Sequence, residues 1–124
     1  MTQEEKDLLL KDLCTRLPYG LKVHYKTAGW EDKNCTLTPQ VIDNFLIRKD
    51  VIVKPYLRPM SSMTEEEKKE CQSLCEIHIE HDADDNVTYY YFDTVESFDW
   101  LNKNMFDFRG LIPKGLAIAV TEKK

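Results

Sequence analysis

Glycine is scarce in this chain, with four residues in 124, and the four are scattered. No glycine-rich loop is present to cradle a phosphate, so neither a Walker-type nor a dinucleotide-type fingerprint exists. Histidine is scarcer still, at three, and no Gly-x-Ser-x-Gly elbow occurs. Nucleophilic catalysis of the familiar hydrolase kind therefore has little to stand on. No apolar run approaches the ~20 residues that a membrane-spanning helix needs. The opening Thr2-Gln3-Glu4-Glu5-Lys6-Asp7 is acidic and polar, unlike a secretory signal, so a cytoplasmic location and no membrane partner are expected.

What remains is ordinary for a globular domain: 42% hydrophobic and 31% charged residues. A chain of this length buries roughly two thirds of its unfolded surface and folds without staples. The four cysteines, Cys14, Cys35, Cys71 and Cys75, are expected as reduced thiols in that compartment. The net charge of −5 is uneven. Residues 22–58 carry seven basic and four acidic side chains, a net of +3, whereas residues 59–124 carry seven basic and fourteen acidic, a net of −7. The acidic half repels a nucleic-acid backbone and the basic middle tolerates one.

Helical periodicity runs from about residue 3 to 16. Thr2 and Glu5 have capping-box spacing, and Leu9, Leu10, Leu13, Cys14 and Leu17 form the apolar stripe. Pro18 and Gly20 end it. Residues 21–26 alternate apolar and basic as a half-buried strand does, residues 28–34 suggest a turn, and residues 35–37 a short return strand. Thr38-Pro39 suits a helix start, although Phe45-Leu46-Ile47 leaves helix or strand open over residues 38–48. Residues 50–54 are strand-like, and Pro55 and Pro59 predict an edge or an exit. Thr64 and Glu67 form a second capping box, after Ser61 and Ser62, taken as capping residues, and before a predicted buried stripe of Cys71, Leu74 and Cys75. Residues 76–81 and 87–92 alternate around Asp82-Ala83-Asp84-Asp85-Asn86, which is a hairpin pattern. Asp93 or Thr94 caps a last helix with a stripe of Val95, Phe98, Leu101 and Met105. Residues 116–120 suggest a terminal strand.

One stretch stands out: Lys54-Pro55-Tyr56-Leu57-Arg58-Pro59-Met60-Ser61-Ser62-Met63-Thr64-Glu65-Glu66-Glu67. It resembles a family of small proteins from gut anaerobic bacteria and their phages and mobile elements. Residues 6–20 and 99–112 are similar to the same family. The resemblance implies a β-rich lobe between the first helix and the Lys-Pro-Tyr-Leu motif, where this chain is shorter. It implies no activity, cofactor or catalytic residue.

Cys71, Cys75, His78 and His81 form a Cys-x3-Cys-x2-His-x2-His cluster of competent zinc ligands. A helix is expected to give way to a strand inside it, which would scatter them, so core cysteines and strand-face histidines are the favoured reading. Asp82, Asp84 and Asn86 resemble the start of a calcium loop, but Val87 occupies the position that needs glycine. A polar turn is expected instead. Ser61-Ser62 before a helix could attract phosphate, but three glutamates already occupy that place. Of Tyr89, Tyr90, Tyr91 and Phe92, alternation puts one pair in the core and leaves the other to stack or anchor a partner.

The expectation is a single α+β domain over residues 1–124, with a first lobe of 1–58 and a second of 59–124. Three to four helices pack on a small, mainly antiparallel sheet. No cofactor and no enzymatic activity are expected. The leading functional reading is a non-enzymatic accessory protein of a phage or mobile element that binds another protein. Its candidate binding residues are Tyr25, Trp30, Tyr56, Arg58, Tyr90 and Trp100. The alternatives are a nucleic-acid-binding module using residues 22–58, and a small zinc protein using Cys71, Cys75, His78 and His81.

Overall fold

The computed structural model describes residues 1–29 and 32–120, with residues 90 and 91 described by backbone alone. Helix α1 (Gln3–Arg16) starts from the expected capping box: the Thr2 hydroxyl accepts the Glu5 amide and the Glu5 carboxylate accepts the Thr2 amide. A 3-10 turn at Leu17–Tyr19 ends on Gly20 in the left-handed region, where a side chain would be strained. Strands β1 (Lys22–Thr27) and β2 (Asp32–Thr36) follow, then helix α2 (Pro39–Ile47), capped by Thr38. The helix alternative therefore holds for residues 38–48. The chain continues through β3 (Val51–Leu57), α3 (Glu65–Ser73), β4 (Glu76–His81), β5 (Val87–Phe92), α4 (Val95–Lys103) and β6 (Ile118–Ala119). The result is an α+β domain with four helices and two small, mostly antiparallel sheets among the described residues.

The larger sheet has the order β2-β1-β3-β6, with β6 parallel to β3. Alternate residues of β1 and β3 point to one face: Val23, Tyr25, Val51, Val53 and Leu57 are buried there. Leu9 and Leu13 of α1, Ile42 and Phe45 of α2, and Leu111, Leu116 and Ala117 near the C-terminus complete the same core. Both halves of the chain thus contribute to one core. The opposite face of the sheet carries Lys22, His24, Lys26, Ile52, Lys54 and Tyr56, all exposed or half-buried.

Several expectations are corrected. Pro55 pairs with Val23 of β1 in a strand, β3, that lies between β1 and β6, and it is fully buried. The Ala28 amide bonds the Asp50 carbonyl, so even-numbered residues of β3 turn their backbone groups to β1. The missing N–H of Pro55 therefore faces away from β1, on the side where β6 pairs only at Tyr56 and Leu57. Strand β2 begins at Asp32, inside the expected turn. Cys14 is exposed. Helix α3 buries no residue, and Cys71, Leu74 and Cys75 are only half-buried. In α4, Val95 and Phe98 are exposed, and the inward positions are Ser97, Leu101 and Asn102. Ser61 and Ser62 lie in a 3-10 turn that the Ser62 hydroxyl closes on the Pro59 carbonyl. Thr64 is the cap of α3, in a capping box with Glu67.

Candidate functional site

Residues from three stretches, 6–20, 54–67 and 99–112, meet around Phe106, which is fully buried. Trp100 stacks on its ring at 5.5 Å and 14°, and the Arg58 guanidinium lies 4.2 Å from the ring centroid. Arg58 also donates to both carboxylate oxygens of Glu67, at 2.7 and 2.8 Å. That bidentate pair holds the Glu67 carboxyl down at about 2, helped by the Thr64 amide, and raises the Arg58 pKa. The backbone joins in: the Arg58 amide donates to Met105 and the Arg58 carbonyl accepts from Asp107.

From the first stretch, Arg16 donates to the Phe106 carbonyl at 2.5 Å and to both oxygens of Asp12 at 3.0 Å. Arg109 donates to Asp12 at 2.6 Å. Asp107 accepts the Leu111 and Ile112 amides. Burial pushes the Arg16 guanidinium below its ordinary value, and Asp12 draws it back up. Two arginines and two aspartates balance, and among the described residues no buried side-chain nitrogen or oxygen lacks a partner. Such a satisfied network clamps three stretches of the chain together. This clamp was not anticipated, although the i,i+4 spacing of Asp12 and Arg16 beside Leu13 was its visible sign.

Among the candidate binding residues, Arg58 and Trp100 are therefore engaged in this packing. Tyr25 is buried, and its hydroxyl accepts from Asn44. Tyr56 stands half-buried on the open sheet face, donating to the Asn34 side-chain oxygen at 2.7 Å. On the same face, the ring nitrogens of His24 meet Asp32 and Asn34 at 2.8 and 2.9 Å. Lys22, Lys26 and Lys54 surround them. Trp30 lies outside the described residues, as does the side chain of Tyr90.

The β4–β5 hairpin is different in kind. Every residue of β4 is exposed. Register places Ile77, Ile79, Val87 and Tyr89 on one face, since Ile79 pairs with Tyr89 and His81 with Val87. Ile77, Ile79 and Tyr89 are 52%, 50% and 58% exposed. Phe92, on the other face beside His78, is 53% exposed. One member of each aromatic pair, Tyr89 and Phe92, is thus exposed, so neither pair is core as a whole; the side chains of Tyr90 and Tyr91 lie outside the described residues. Its turn is built by Asp82, whose carboxylate accepts the Asp84 and Asn86 amides and the Asn86 side chain. These bonds lower the Asp82 pKa, the Asn86 amide most. Residues 76–93 carry six acidic side chains and no lysine or arginine.

The four Cys/His residues are not brought together. Cys71 and Cys75 lie at the end of α3, where the Cys75 thiol donates to the Cys71 carbonyl. His78 and His81 differ in parity along β4 and so face opposite ways. Among the described residues no three His, Cys, Asp or Glu side chains are grouped to hold a metal ion. Burial, with Cys75 and Asp93 adding to it, pushes the Cys71 thiol up to about 11, which keeps it protonated and a poor nucleophile near neutrality. All four cysteines are free.

No helix among the described residues is long and apolar enough to cross a membrane. Comparison with known protein families, curated proteins and solved structures found no match.

Proposed function

We propose that this is a non-enzymatic binding module that docks another protein through the β4–β5 hairpin. The observation that carries the reading is the exposed apolar face of Ile77, Ile79, Val87 and Tyr89 on a two-stranded sheet that buries no side chain among the described residues. An isolated hairpin of this kind is marginal in water and gains stability when a partner covers it. The acidic surround selects a partner whose apolar strip is flanked by lysine or arginine. The family resemblance supports a setting on a phage or mobile element. The balanced clamp around Phe106 supports a scaffold and not a reaction centre. Co-purification from cells tests the reading: Ile77→Glu with Tyr89→Ser removes a partner that Lys22→Glu with Lys26→Glu retains. The same partner recovered with all three proteins would count against it.

A second reading rests on the open sheet face, where Lys22, Lys26 and Lys54 flank Tyr56. It makes the module a nucleic-acid binder. Salt-dependent retention of single-stranded oligonucleotide, lost with Lys22→Glu and Lys26→Glu, would support it. Absence of retention at low salt would remove it.

A further inference from the structure

A concavity lies apart from the hairpin, at the start of β3. It is an open cleft of about 580 Å³, within the size range of small-molecule sites. Cationic side chains reach it from four separate parts of the chain: Lys6 of α1, Arg48 and Lys49 after α2, Lys54 of β3, and Lys114 in the turn before β6. Phe45, Ile52 and Leu116 give it apolar wall, and the Lys6 ammonium stands 5.4 Å from the Phe45 ring centroid. The single acid in the lining is Glu5. Its carboxylate is already engaged by the Thr2 amide, and it is held below its ordinary range first by that contact and the Thr2 hydroxyl, with Lys114 a smaller influence. Arg48 is paired with Asp50 at 2.9 Å. Lys49 and Lys54 have no side-chain hydrogen bond or ion pair among the described residues.

Five cations gathered in one concavity of a chain whose net charge is −5 repel one another. A concave, partly apolar wall also concentrates their field. A single carboxylate would neutralise only one of them, whereas a polyphosphate meets several at once. The apolar wall adds room for a flat or greasy body beside the charge. We propose that this cleft is a binding site for a phosphorylated small molecule of about nucleotide size, independent of the hairpin surface.

The test uses the intact chain, titrated calorimetrically with inorganic tripolyphosphate and with ATP at about 50 mM and about 200 mM salt. Saturable binding of either anion that weakens with salt is expected, tighter for ATP because of its base. Lys49→Glu with Lys114→Glu should lower affinity by about tenfold or more, and Lys22→Glu with Lys26→Glu on the open sheet face should leave it within about twofold. Lys49 and Lys114 are exposed, so the free variant should keep its melting temperature; if charge reversal lowers it, Lys49→Gln with Lys114→Gln repeats the comparison. No binding of either anion at about millimolar concentration, equal loss in the sheet-face variant, or binding of single-stranded oligonucleotide alone would each overturn the proposal.

Discussion

At the scale of single residues, the least replaceable side chain is Asp12. It is fully buried and answers two guanidinium groups, from Arg16 at 3.0 Å and Arg109 at 2.6 Å. Removing one partner of a buried charge set leaves the others uncompensated, which costs about 3–5 kcal/mol. Asp12→Ala should therefore lower the unfolding free energy by about that amount in urea titration, and a change below about 1 kcal/mol would show that the clamp is dispensable. Glu67 gives a pH signature. Its folded pKa of about 2 lies below the ordinary carboxylate value of ~4.3. Between those values the unfolded chain binds more protons, so stability falls as pH drops through that window and is fully present above it. The stability gap between the native protein and Glu67→Gln should be constant above about pH 5 and close as pH falls toward about 2. A gap that does not change with pH would mean that the Arg58–Glu67 pair contributes nothing. Urea midpoints measured across that range decide it.

At the scale of elements, the hairpin and the core should respond in opposite ways. Ile77 and Ile79 are half exposed, so Ile77→Glu or Ile79→Thr should change the unfolding free energy by no more than about 0.5 kcal/mol. Leu13→Ala, in a fully buried position, should cost about 2–5 kcal/mol. Comparable losses from both would mean that the hairpin is part of the folded core. Much of this layer was legible in the sequence. The Thr2 and Thr64 capping boxes, the Thr38-Pro39 start, the β1 alternation and the Asp82-to-Asn86 turn are local signals, decided within a few residues. The burial of α3, α4 and the hairpin was not legible. The same apolar period serves a helix that is covered and one that is not, and what covers it is decided by parts of the chain distant in sequence. Pro55 misled for a related reason: which way its nitrogen faces depends on the pairing parity of β1 with β3, which composition does not reveal.

At the scale of the whole molecule, charge and cover divide the surface. The sheet face and the cleft are basic, whereas the hairpin is acidic and carries an exposed apolar strip. Residues 6–20, 54–67 and 99–112 close around Phe106, and among the described residues their buried side-chain polar atoms are all partnered. That arrangement ties three stretches distant in sequence into one packed unit. The candidate residues Arg58 and Trp100 were visible as unusual positions, but their role was not, because stacking on Phe106 joins positions 48 and 6 residues away. The most direct check of the hairpin reading is site-specific photo-crosslinking from position 79 in the native host, with the crosslinked peptides sequenced. The account predicts one dominant partner whose captured segment is apolar and flanked by lysine or arginine, and whose capture disappears with Ile77→Glu. Crosslinks spread over unrelated proteins, or a partner captured equally with Ile77→Glu, would contradict it.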